Sequence, residues 1–164
     1  MLFTTPVSEP RWDTKLNDYS DNDRFQFWLM EMDAAIEQFI DSAPPSIKAR
    51  LDFSDESLDA LEEWVLARYS DPSETRSAQE STFLDGAARY FGEIFRRHTG
   101  SKWGIRYDDP KYVFHGLPIL SRDDKLGGIP CCPLTTVTAA TDRRTGHFFS
   151  TILNNFRSQA VPPN

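Results

Sequence analysis

Three histidines (His98, His115, His147), the adjacent pair Cys131 and Cys132, and the pair Arg143 and Arg144 are the groups best suited to act as base, nucleophile or anion clamp near neutral pH. Cys132 with His115 or His147 would make a thiolate–imidazole pair, the imidazole taking the thiol proton so that sulfur can attack. No strained nucleophile elbow or oxyanion-hole signature accompanies it. Zinc wants paired ligands about two to four residues apart, and these histidines are scattered, so no metal is expected. His98 falls in the last turn of a helix, where a cation is welcome, and His115 reads as a strand residue. The carboxylate pairs Glu62/Glu63 and Asp123/Asp124 point to different faces or lie on a loop, which is not the arrangement that cleaves glycosides. Arg143 and Arg144, with Gly146 and His147 after them, suit a phosphate or an acidic partner. Without interleaved aromatics they do not make a nucleic-acid platform.

Charge placement says more than these scattered groups. The net charge is −7 over 164 residues, but residues 1–100 carry 20 Asp and Glu against 10 Lys and Arg, whereas the remainder carries 5 against 8. An acidic N-terminal part repels nucleic-acid backbones and steers basic proteins into encounter. The competing reading is of ordinary solvated helix faces that keep the chain soluble.

These side chains need a scaffold, and the composition supports one. A hydrophobic share of 39% with four Trp and twelve Phe supplies the burial that ordering entropy demands, and the length suits one domain. No apolar run approaches the ~20 residues that cross a bilayer, and MLFTTPVSEPRWD lacks the features of a secretory signal. Adjacent cysteines rarely bridge, so a reducing cytoplasm is expected.

Residues 1–20 read as an irregular arm, pinned by Trp12. A first helix starts near Asp21 or Asn22, with Phe25, Trp28, Leu29, Met32, Ile36, Phe39 and Ile40 on one face. Glu31, Glu37, Gln38 and Asp41 face outward, and Pro44 and Pro45 stop it. A second helix is capped by Ser54, with a Phe53–Leu58 staple and Leu58, Leu61, Trp64, Val65 and Tyr69 inward. Its opposite face gathers Glu56, Asp59, Glu62 and Glu63. A third runs from an Asp71–Pro72–Glu74 start to Gly100, with Phe83, Ala87, Tyr90, Phe91, Ile94 and Phe95 as its core face. Gly86 and Gly92 inside it imply close approach of another element. Trp103 is expected to fold back on that helix near Tyr90, Phe91 and Ile94.

Beyond Gly100, Lys102–Tyr107 and Lys111–His115 read as a hairpin turning at Asp108, Asp109 and Pro110. Ile119 and Leu120 offer a third strand, and Ser121–Lys125 a loop tip. Leu134, Val137, Phe148, Ile152 and Phe156 keep helical phase, as one long helix or two broken at Gly146, before a tail over 159–164. The expected fold is α+β: three N-terminal helices, a small antiparallel sheet built on a β-hairpin, and a C-terminal helix, in one domain spanning 1–164.

The pattern of Ala88, Tyr90, Gly92, Glu93, Arg96, Gly100 and Trp103 resembles a helix-to-strand signature of bacterial uncharacterised α+β domain families, some of whose relatives resemble immunity proteins of polymorphic toxin systems. It covers about an eighth of the chain, and such signatures are structural in origin. The resemblance implies a bacterial, non-enzymatic protein without an active site or cofactor. The functional expectation is therefore an immunity protein or antitoxin that inhibits a basic toxin through Glu31, Glu37, Asp41, Glu56, Asp59, Glu62 and Glu63. One alternative is a small enzyme or ligand-binding domain with a cleft between the hairpin and the C-terminal helix, using His115, Cys132, Arg144 and His147. The other is a structural subunit of an assembly.

Overall fold

The computed structural model describes residues 20–122 and 129–160. The expectations for the N-terminal arm, for Trp12, for most of the 121–125 loop tip and for the last residues of the tail lie outside that range. Seven α-helices and one two-stranded antiparallel sheet form among the described residues, an α+β fold in which helix predominates.

The first expected helix forms as two, α1 (Asp21–Met30) and α2 (Met32–Asp41). The turn at Glu31 is slight, because Glu31 N–H still donates to Phe27 O at 3.1 Å and Ala35 N–H to Glu31 O at 2.9 Å. The expected apolar face survives it. Phe25, Trp28, Met32, Ile36 and Phe39 are buried, with Leu29 and Ile40 half-buried. Ser20 caps α1 by accepting from Asp23 N–H. A short helix α3 (Pro45–Lys48) leads to α4 (Ser57–Arg68), whose expected inward set is buried throughout. The third expected helix begins later than Asp71. Asp71 does cap Ser73 N–H at 2.9 Å, but the chain then makes two 3-10 turns, Pro72–Arg76 and Ala78–Glu80, before entering α5 (Ser81–Thr99).

Helix α5 is the hub, packed against α2, α4, α6 (Pro133–Arg143) and α7 (Phe148–Ala160). It is therefore buried nearly all round, including its charged residues Arg89 and Glu93. Gly86 admits Phe39 from α2, since a Cβ there would stand 2.6 Å from the Phe39 Cγ. Gly92 admits Trp103, whose Cζ2 would lie 2.5 Å from a Cβ. Trp103 thus returns to α5 as expected, but its partners differ. Its ring meets Trp28 edge to face at 4.9 Å and its Nε1–H donates to Glu93 at 2.8 Å. Tyr90 instead faces Phe53, and Phe91 faces Phe95 and Phe149.

The hairpin expected over 102–115 does not form. Strand β1 (Lys102–Gly104) pairs with β2 (Ile119–Ser121), Trp103 opposite Leu120, and Leu120 also bridges to Cys131. The segment between is a series of turns. Asp109 O accepts from Tyr112 N–H, Tyr112 O from His115 N–H, Phe114 O from Leu117 N–H, and Arg106 O from Gly116 N–H at φ +70°. Those local bonds consume the groups a second strand would have offered. The C-terminal region takes the two-helix form, with α6 ending on left-handed Arg144 (φ 52°) and Gly146 at φ 83° turning the chain into α7.

Candidate functional site

The expected acidic residues do not form one face. Glu62 is fully buried, a correction to its placement on the outer surface of α4. It stands at the positive end of α7, accepting Phe149 N–H at 3.0 Å, where a carboxylate satisfies helix-terminal donors. Burial outweighs those bonds and pushes the Glu62 carboxyl above its ordinary value. Asp59 is half-buried and also serves α7, accepting from Ser150 Oγ at 3.1 Å and meeting His147 Nδ1 at 3.1 Å. Only Glu56 and Glu63 of the α4 set stay exposed, and Glu63 pairs with Arg50 at 3.1 Å.

On α2 the outcome differs. Glu31, Glu37 and Asp41 are exposed, with Asp41 pairing Lys48 at 3.1 Å. Asp33 is exposed as well, so Asp33, Glu37 and Asp41 form a stripe with steps of four residues, about 6 Å apart along the helix. The stripe rims an open groove of ≈ 330 Å³ lined by Ile36, Ile40, Phe53 and Arg97. Phe53 is positioned by an unusual backbone, φ 65°. That conformation is costly for a bulky residue, and Tyr90 holds it by accepting Phe53 N–H at 3.0 Å while stacking on its ring at 5.0 Å. The Arg97 guanidinium lies 4.8 Å from the Phe53 ring centroid, within cation–π range. Asp33 sits four residues before Glu37, so its place in the stripe is readable from spacing alone. Phe53 and Arg97 come from other elements and carry no local sign.

The residues expected in the alternative cleft have other partners. Arg144 sends Nη1 to Tyr69 O at 2.8 Å and Nη2 to Leu66 O at 3.1 Å, closing the C-terminal carbonyls of α4. His147 is engaged with Asp59. Cys132 is buried, and burial raises its thiol and drives that of Cys131 up to about 12, the reverse of what a nucleophile needs. His115 packs edge-on against Tyr107 at 6.0 Å. Among the described residues neither His115 nor Cys132 bonds to Arg144 or His147.

A second groove of ≈ 530 Å³ between α2, α4 and α5 is floored by Phe39, Trp64 and Phe83. Its one guanidinium, Arg68, is bound to Glu80 at 2.7 Å and lies over Phe83 at 4.4 Å. No group of three or more His, Cys, Asp and Glu among the described residues is arranged to hold a metal ion, and no described helix is long and apolar enough to cross a membrane. In comparisons with protein-family models, curated proteins and solved structures, no significant match to this chain is found.

Proposed function

We propose that the protein is a non-enzymatic binding protein of the immunity type, inhibiting a basic protein partner through the acidic outer face of α1 and α2. One observation carries this. Residues 21–41 contain six carboxylates and a single base, Arg24, and Arg24 is buried, so those two helices present no exposed Lys or Arg. A field of one sign raises encounter rates with an oppositely charged partner and disfavours nucleic acid. The carboxylates expected on α4 are not counted in that surface: Asp59 and Glu62 serve α7, and Glu63 pairs with Arg50.

The test is binding kinetics against the product of the gene adjacent to its own, for the parent and for Glu31→Lys/Glu37→Lys/Asp41→Lys. All three positions are exposed, so folding should persist, as circular dichroism would check. Association at low salt should slow about tenfold or more in the variant, and the difference should shrink as salt screens the charges. An unchanged association rate would reject the acidic face.

A further inference from the structure

Glu62 is the most deeply enclosed carboxylate among the described residues, with 0% of its surface exposed. Its Oε1 accepts Phe149 N–H at 3.0 Å, but Oε2 has neither solvent contact nor a hydrogen-bond partner. An ionised carboxylate needs donors on both oxygens, so enclosing one unpaired oxygen favours the protonated form. The groups around it do not offset this. Asp59, three residues earlier on α4, adds repulsion, and His147 and Ser150 are committed to Asp59. Arg144, at the end of α6, is committed to Leu66 O and Tyr69 O, and α5 sends Phe91 against Phe149 at 5.1 Å rather than a cation. The N–H groups of Phe148 and Gly146 favour the charge without closing on Oε2, and burial outweighs them.

The wall over Glu62 is thin. The chain enters α7 through residues 144–147, all exposed or half-exposed, with Arg144 and Gly146 in left-handed conformations. At its outer edge stands the His147–Asp59 pair, whose side chains are 71% and 38% exposed. Lifting the first turn of α7 about this linker brings water to Glu62 and leaves α5 in place. We propose that the first turn of α7 is a proton-operated latch, closed over a neutral Glu62 and loosened when that carboxyl ionises. The sign follows from linkage: the closed state holds the proton more tightly, so closure is firm at low pH and is lost as pH rises. Each unit by which closure raises the carboxyl makes opening about tenfold rarer in the protonated form. The latch is independent of the acidic face on α1 and α2.

Native-state hydrogen exchange of the full chain, followed by NMR from pH 4.5 to 7.5 with each rate divided by its intrinsic value at that pH, reads the latch. At pH 7.5 the amides of Thr151, Ile152 and Leu153 should be at least ~10-fold less protected than those of Phe91 and Ile94 in α5, because they open locally. Their protection should rise at least ~3-fold as pH falls toward 4.5. Glu62→Gln, uncharged throughout, should abolish that dependence. His147→Gln, at an exposed position, should keep it. In the parent, the ¹³C titration of the Glu62 carboxyl should share its midpoint with the change in α7 protection.

Protection in α7 equal to that in α5 would mean that the turn opens only with the whole fold, and would overturn the latch. So would a pH dependence that survives Glu62→Gln, or one that His147→Gln removes, since the histidine would then be the operator. If Glu62→Gln does not fold, the parent alone decides: coincident midpoints uphold the proposal, and a carboxyl titrating in the ordinary glutamate range, apart from the change in exchange, rejects it.

Discussion

Gly92→Ala puts the contact between α5 and Trp103 to a quantitative test. A Cβ at Gly92 would stand 2.5 Å from Trp103 Cζ2, with Pro133 Cγ at 3.2 Å closing the side. Carbon atoms rest at about 3.5 Å or more, so the indole must retreat by about 1 Å. That displacement pulls Nε1 from Glu93, 2.8 Å away, and disturbs the edge-to-face contact with Trp28 at 4.9 Å. Overpacking costs about 1–3 kcal/mol, and weakening a hydrogen bond to a charged acceptor adds up to about 1.5–3 kcal/mol. Against this, alanine gains about 1 kcal/mol over glycine inside a helix. The net expectation is a loss of about 1.5–5 kcal/mol.

The discriminating measurement is a double-mutant cycle by urea denaturation followed by circular dichroism. With Trp103→Ala already in place the ring is gone, and Gly92→Ala should become neutral or stabilising by up to about 1 kcal/mol. Its effect thus changes sign or vanishes. If Gly92→Ala cost the same in both backgrounds, the obstruction would not be Trp103. If it stabilised the parent, the indole would not occupy the glycine's place at all.

Two further substitutions probe the clamp between α4 and α7. The folded state raises the Glu62 carboxyl above its ordinary 4.5 through burial, so the cost of burying its charge is present at neutral pH. It is relieved as pH falls through the raised value, making the parent more stable relative to Glu62→Gln on moving from pH 7 toward 4.5. Paired urea titrations across that window check this, and a pH-independent difference or one of opposite sign would refute it. Arg144→Ala should lose about 1.5–3 kcal/mol, because charged hydrogen bonds to Tyr69 O and Leu66 O vanish. Thermal unfolding measures it, and a melting temperature equal to the parent's would show the cap to be idle.

The helical part of the fold is legible in the sequence because its signals are local. The α5 core face, the left-handed stop at Gly100 and the break at Gly146 each arise from residues within a turn or two of where they act. Local signals also mislead about the hairpin. Asp109 and Pro110 do mark turns, but whether a turn joins two strands depends on what lies across the chain, and β1 finds its partner at Ile119–Ser121. Glu62 is more instructive. It lies four residues after Leu58 and three before Val65, on the buried stripe itself, so its spacing points inward while its chemistry points outward. The burial is tolerated because α7 begins there, an arrangement 87 residues away in sequence that no local pattern carries. On α2 the carboxylates are visible in the sequence, whereas the groove they rim requires Phe53 and Arg97 from two other elements.

That long separation has a consequence for how the protein is made. During synthesis at about 5–20 residues per second, the 87 residues between Glu62 and Phe149 correspond to a wait of about 4–17 seconds. In that interval Leu58, Leu61 and Val65 have no α7 to cover them, and Glu62 sits among them hydrated and charged. A carboxylate inside an otherwise sticky stripe opposes premature association with other chains. The residue that is a liability once enclosed is therefore a safeguard while the nascent chain is incomplete.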